Sequence, residues 1–406
     1  MSEKKNFLYK RKIIRELYFA SNLSCSDLGL RIETSLPLVT KMLNELIEES
    51  MVIETGYAPS TGGRRPLLYS LRPEAQYVVA VAMDQLFTRI TILDMQHIRV
   101  SPIREIELPL TGNPKAVKRL LESIETVIAE AKISKQRIVG IGIGMPGFVD
   151  AKKGINYTFL DLGNETLAHH IAAKTGLPTF IENDASVSAL AEYRFGAARD
   201  RKSSMVISPG WGVGLGMILN GEVFRGHNGF AGEFSHLPLF ANNKLCSCGK
   251  SGCLETEASL LVVIEKAMQG IANGRLTQLD KLLPARNADE ACRAVVSAAA
   301  KGDKFAVELL SESGYNIGRG VAILIHLLNP ETVIISGRGV PAGKILQTSI
   351  QQALNEHCIP RLAANVSLEI STLGHDAEII GAAALVMDNY LRNEKGWPVS
   401  KKQLVD

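Results

Sequence analysis

The sequence predicts an α/β protein of two lobes preceded by a small helical domain. Three observations lead there. From Tyr77 onward, strand-like apolar runs alternate with helical spacing, the pattern of an α/β fold. Two stretches repeat one layout of strand, small-residue turn and strand: YVVAVAMDQLFTRITILDM from Tyr77 and SSMVISPGWGVGLGMILNGEVF from Ser203. Asp84 and Gly210 hold equivalent places in them, 126 residues apart. Residues 1–73 differ in character, with 11 Lys/Arg against 8 Asp/Glu, and so account for the whole net charge of +3.

Composition narrows the class further. A chain of 406 residues suits two or three domains, and 46% hydrophobic against 21% charged residues supports a sizeable core. No apolar run reaches the roughly 18 residues that a membrane span needs, so membrane insertion is not expected. MSEKKNFLYKRK lacks a following apolar stretch, which argues against a secretory signal and for a cytoplasmic location. The six cysteines are uneven: Cys25, Cys292 and Cys358 are scattered, while Cys246, Cys248 and Cys253 fall together, which fits one metal cluster better than a disulfide scaffold.

In the N-terminal segment, KRKIIRELYFA places Ile13, Ile14, Leu17 and Tyr18 at helical spacing. CSDLGLRIE follows as a short second helix, capped by Ser26 or, nearly as well, by Ser24. A third helix runs from about Ser35 to Glu49 with a buried stripe of Leu36, Val39, Leu43 and Leu46; Pro37 is tolerated in its first turn. MVIET and PLLYSLR read as strands flanking GYAPSTGGRR. Three helices and a basic-tipped hairpin describe a winged helix-turn-helix ending near Arg72-Pro73. The repeated layout beyond it suggests the duplicated ribonuclease-H-like fold of sugar kinases and actin. The expected domains are residues 1–73, a first lobe over 74–196 to which a helix at about 376–392 returns, and a second lobe over 197–375.

CSCGKSGCLE concentrates three thiols in a loop that Gly249 and Gly252 let fold tightly. Zinc prefers four tetrahedral nitrogen or sulfur ligands. His236, ten residues upstream in GEFSH, completes the set His236, Cys246, Cys248 and Cys253, and four protein ligands mark a structural Zn2+ site. The alternative is three reduced cysteines and an unrelated histidine.

AGEFSH and CSCGKSGCLET together resemble the hallmark of the ROK family (repressors, open reading frames and sugar kinases). IGIGMPGFVD (141–150), FIENDASVSALAEYRFGAA (180–198), GVGLGMILNGEVFRGHNGFAGE (212–233), IISGRGV (334–340) and EIIGAAAL (378–385) extend the resemblance over residues 75–390. STGGRRP after the N-terminal helices extends it to the repressor branch, with its xylose, glucose and N-acetylglucosamine regulators. The family's Trp-containing loop is not matched by residues 156–167.

The resemblance implies a sugar pocket built from Gly147, Asn183, Asp184, Glu233, His236 and Glu255, with zinc on one ring nitrogen of His236 and sugar facing the other. Carboxylates and amides of this kind pair sugar hydroxyls and reject analogues lacking them. Alone, Asn183-Asp184 would read as an Asx-type turn.

In the family's kinases Asp184 would be the general base. Phosphoryl transfer also needs loops that cradle ATP phosphates. The first such loop, roughly DxGGT in the family, is Asp84-Gln85-Leu86-Phe87-Thr88 here. The second, normally GTGxG, is Gly210-Trp211-Gly212-Val213-Gly214. Gly337 and Gly339 of the adenine-side loop remain. Two altered phosphate loops argue against catalysis, with no catalytic residue then expected.

For DNA, the exposed positions at the third helix are Ser35, Pro37, Thr40, Lys41 and Asn44, since the second helix of such a motif enters the major groove. Arg64 and Arg65 of the hairpin tip resemble the repressors' wing; by themselves they would be an ordinary basic turn. The expected function is a sugar-responsive transcriptional regulator, a repressor of carbohydrate-utilisation genes. It would bind a double-stranded operator as a homodimer or tetramer, with a sugar or sugar-phosphate effector between the lobes. The alternative is an ATP-dependent sugar kinase with an added DNA-binding domain.

Overall fold

The computed structural model describes residues 3–59, 65–282 and 287–392. Its N-terminal part holds helices α1 (Glu3–Ala20), α2 (Cys25–Arg31) and α3 (Leu36–Glu48) and a sheet of β1 (Leu23–Ser24), β2 (Val52–Tyr57) and β3 (Leu67–Leu71). The sheet order is β1-β3-β2, both pairs antiparallel. Ile13, Ile14, Leu17 and Tyr18 of α1 are all buried, as their helical spacing requires.

Two local expectations are corrected. Ser24, not Ser26, caps α2: its hydroxyl accepts from the Asp27 amide while the Asp27 carboxylate accepts from the Ser24 amide, each at 3.1 Å. Ser26 lies inside the first turn. The buried stripe of α3 is Val39, Met42, Leu43 and Leu46, and Leu36 is 51% exposed. Leu36 lies over Gly29, which offers no side chain to bury it against.

The chain divides into two compact units. One runs to Glu182 and resumes at Ala382; the other is Asn183–Gly381. The N-terminal elements belong to the first. That unit also holds β4 (Tyr77–Met83), β5 (Phe87–Asp94), β6 (Arg104–Glu107), α4 (Ala116–Glu130), β7 (Ile138–Met145), α5 (Leu167–Thr175) and β8 (Thr179–Asn183, whose last residue opens the second unit). The sheet order is β8-β7-β4-β5-β6. β4 pairs antiparallel with β5 and parallel with β7, so this is a mixed sheet. β4, β5 and β7 are buried at every position, which explains the unbroken apolar runs of β4 and β7; β5 also buries Thr88, Arg89, Thr91 and Asp94.

The second unit begins with α6 (Asp184–Phe195), a helix that the boundary expected at residue 197 had assigned to the first lobe. It continues with β9 (Ser203–Pro209), β10 (Val213–Leu219) and β11 (Glu222–Val223). Helices α7 (Leu260–Ala272), α8 (Ala288–Ala300) and α9 (Lys304–Leu328) follow, then β12 (Thr332–Ile335), α10 (Gly343–His357) and β13 (Ser367–Ile370). Its sheet order, β11-β10-β9-β12-β13, repeats the first: an antiparallel meander joined to parallel strands. Asp84 follows β4 as Gly210 follows β9, so the equivalence read from sequence holds in the fold. Gly314 and Gly318 let α9 lie close along α10, where a Cβ at Gly318 would come 2.7 Å from that of Ala353.

Helix α11 (Ala377–Asp388) crosses the division, since Gly381 is the last residue of the second unit and Ala382 resumes the first. Within the first unit it rests directly on β7. A side chain on Gly142 would collide with the Ala382 carbonyl, and one on Gly140 would meet Val386. Gly140 and Gly142 of IVGIGIGM therefore serve helix docking.

Candidate metal centre and ligand site

Four donors converge where the cysteine spacing indicated. One ligand atom each from His236, Cys246, Cys248 and Cys253 lies within 4.8 Å of all the others. Cys246 Sγ stands 3.5 Å from His236 Nδ1, and Cys248 Sγ stands 3.6 Å from Cys253 Sγ. Zinc bonds of about 2.3 Å to sulfur space tetrahedral ligands about 3.8 Å apart, a spacing that this donor set could meet. Burial, and after it the neighbouring thiols, push Cys253 up to about 12, a repulsion that a bound cation relieves. Gly252 has a left-handed φ of +77°, and a side chain there would strike the Phe240 carbonyl, which is why this loop closes only on glycine.

The polar residues next to this cluster surround one end of β10. Its glycines admit them. A Cβ on Gly212, just before the strand, would stand 2.7 Å from Glu255 Oε2; one on Gly214 would stand 3.0 Å from the Ala185 Cβ, beside Asp184. Gly232, with φ +102°, lies on the Leu215 carbonyl and delivers Glu233. His236 offers Nδ1 to the thiols and sets Nε2 3.8 Å from Glu233 Oε2, so one ring reaches both the cysteine cluster and Glu233. Glu255 Oε1 accepts from the Ser247 hydroxyl at 3.3 Å and stands 3.7 Å from Cys246 Sγ. Burial raises the Glu233 carboxyl above the usual range; His236 opposes the shift and Glu255 adds to it.

Asn183 and Asp184 open α6. Asn183 Oδ1 caps the helix, accepting from Ala185 and Ser186 amides at 3.0 and 3.2 Å. Asp184 Oδ1 accepts from the Ala185 amide at 2.9 Å, a carboxylate at the positive end of the helix. The Asx turn and the candidate site are thus the same residues. Five of the six sugar-site candidates lie in the second unit. Gly147 lies in the first, and its φ of +94° serves a turn packed on Thr158, 2.7 Å from where a Cβ would be.

Both phosphate-loop positions are internally engaged. Asp84 Oδ1 accepts from the Leu86 and Phe87 amides at 2.7 Å each, so the first loop folds its own donors onto its own carboxylate. Phe87 is buried. In the second loop Trp211 is buried, with the Arg338 guanidinium 4.4 Å above its ring. Asp289 pairs with both Arg338 and Arg293. Sequence reasoning marked Trp211 as a departure but not its partners, which come from distant segments and carry no local signature.

Of the candidate DNA contacts, Ser35, Pro37, Thr40, Lys41 and Asn44 share the exposed side of α3 and its N-cap. Thr40 Oγ1 donates to the Leu36 carbonyl at 3.0 Å, and Lys41 is 3.9 Å from Glu45. Arg65 is exposed; Arg64 lies outside the described residues.

Residues 102–389 match the profile of the ROK family. The chain belongs to the ROK family. It is 29% identical to a xylose repressor of Caldicellulosiruptor bescii over 91% of this chain and 92% of that one. It is 35% identical to a glucokinase of Halalkalibacterium halodurans over 70% of this chain and 87% of that one. Among solved structures, a ROK family transcriptional regulator described as a homolog of the E. coli MLC protein superposes with a TM-score of 0.76 at 27% identity. That match covers 96% of this chain and 98% of the other. The ROK fold, α/β and sugar-kinase-like with mixed sheets, is therefore this chain's fold. A match covering 91% of the chain necessarily includes part of residues 1–73. Among the described residues no helix is long and apolar enough to cross a membrane.

Proposed function

We propose that this ROK protein is a sugar-responsive transcriptional regulator, a repressor of carbohydrate-utilisation genes. The observation that carries the reading is the likeness to repressors that extends into the N-terminal three-helix segment. That segment is a winged helix-turn-helix in which α3 enters the major groove, with Ser35, Thr40 and Lys41 on phosphates and Asn44 at base edges. Arg65, with Arg64, serves the wing. The protein acts as a homodimer or tetramer on paired half-sites and works in the cytoplasm.

The effector is a sugar or sugar phosphate held by Asn183, Asp184, Glu233, His236 and Glu255 of the second unit. Zn2+ on His236, Cys246, Cys248 and Cys253 has a structural role: it fixes the ring of His236 and the start of the turn that bears Glu255. A ligand changes DNA affinity only by binding the two states of the protein unequally.

Kinase activity is the second reading, favoured by the 35% identity to a glucokinase and by Asp184 at the N-terminus of α6. Against it stand Asp84, which holds the first loop's amides, and Trp211, which fills the second loop beneath Arg338. Two assays separate the readings. Duplex DNA selected from a random library should bind with an affinity that falls steeply with salt and shifts with one sugar of a panel of xylose, glucose, N-acetylglucosamine and their phosphates. ATP-dependent turnover of any of these above background would overturn the non-catalytic reading.

A further inference from the structure

The end of α11 and the residues just beyond it pack on α1. Arg11 is 2% exposed, and its guanidinium lies 4.4 Å from the Tyr390 ring centroid and 5.5 Å from that of Phe7. Arg15 Nη2 donates to Asp388 Oδ1 at 3.0 Å. Tyr390 is 1% exposed, and its hydroxyl has no hydrogen-bond partner among the described residues. A buried phenol without a partner costs stability, so the site uses the ring face beneath the cation, not the hydroxyl.

The other end of α11 meets the helix that carries Asp184. Within the second unit a side chain on Gly381 would collide with the Val187 carbonyl, so α11 touches α6 backbone to backbone one turn from Asp184. Between these ends, α11 rides on β7 through Gly140 and Gly142. α11 is one continuous helix, with Gly381 packed on α6 within the second unit and Asp388, followed by Tyr390, packed on α1 within the first. Helices packed this closely move by discrete shifts, because there is no side chain at the contact to absorb a displacement.

We infer that α11 is the transmission element of this regulator, with Asp388 and Tyr390 as positioning residues that pass a change at the Asp184 end of α6 to α1. This rests on the regulator reading above and names its mechanical route. Neither residue touches sugar or DNA; their role is to make the seat of α1 depend on α11.

The test uses the full chain, DNA selected from a random duplex library, and the sugar panel. Fluorescence anisotropy gives DNA affinity with and without sugar, and calorimetry gives sugar affinity. In the wild type a sugar should change DNA affinity about tenfold or more, a coupling of ordinary size. Tyr390→Phe should keep that change. Tyr390→Leu and Asp388→Arg should bind sugar with affinity within twofold of wild type, yet shift DNA affinity less than threefold on sugar addition. Arg15→Asp with Asp388→Arg should restore the response. Because Arg15 and Asp388 are partly exposed, that pair remains informative if Tyr390→Leu fails to fold. Full coupling in Asp388→Arg, or none recovered in the double variant, would overturn the inference while leaving the regulator reading intact. A wild type whose DNA affinity no sugar changes would overturn both.

Discussion

The guanidinium of Arg338 stacks 4.4 Å from the ring centroid of Trp211, at the loop where the family's kinases hold phosphate. Asp289 anchors the arginine from α8. The loop is thus filled from within by a buried aromatic, a cation and a carboxylate.

Nucleotide should therefore find no seat. Adding 5 mM Mg-ATP is expected to leave the melting temperature unchanged, with saturation by ATP counting against the proposal. Trp211→Ala should destabilise the protein by about 3 kcal/mol or more, as removal of a buried aromatic does, without creating ATP turnover, since Leu86 and Phe87 amides remain on Asp84.

Metal analysis of purified protein should return one zinc per chain. Cys248→Ser should lower zinc content and melting temperature together. Sugar affinity should fall as well, because His236 serves both the thiols and the Glu233 side. Normal sugar affinity in a folded, metal-free protein would break that link.

Lys41→Ala and Arg65→Ala should each weaken DNA binding and reduce the salt slope by about one. Calorimetric sugar affinity should stay at the wild-type value. A loss of both activities would point to misfolding instead.

His97 supplies a pH dependence. Its ring packs edge-on to Tyr18, centroids 4.4 Å apart, and burial there lowers its pKa to about 4. A depressed histidine contributes stability that is present above its unfolded value near 6.5 and is lost as pH falls toward 4. Since the residue keeps partial solvent contact, the loss between pH 7 and pH 5 should be about 1 to 2 kcal/mol. His97→Asn, chosen because Asn tolerates the left-handed φ of +66°, should lack that part of the acid limb in urea titrations.

Much of this was legible in the sequence. The strands announced themselves because both faces of each central sheet are covered, which enforces unbroken apolar runs such as YVVAVAM. The cysteine cluster was legible because its donors lie within 18 residues of one another and the loop glycines are forced. The cap of α2 was ambiguous because Ser24 and Ser26 both precede an apolar stretch; only the reciprocal bond with Asp27 decides. Met42 replaced Leu36 in the core of α3 because a first-turn leucine needs a neighbour, and Gly29 is none. Arg338, Asp289 and Asp388 were beyond reach, since each finds its partner across scores of residues and an isolated charge carries no address.

The crossing of α11 has a temporal consequence. Tyr390, which covers Arg11, is synthesised 379 residues after it. At about 5–20 residues per second, that is a wait of about 20 to 75 s. β7 waits likewise for Ala382 and Val386. Throughout that interval the first unit lacks Ala382, Val386 and Tyr390, so the Arg11 face of α1 and the glycine face of β7 wait uncovered.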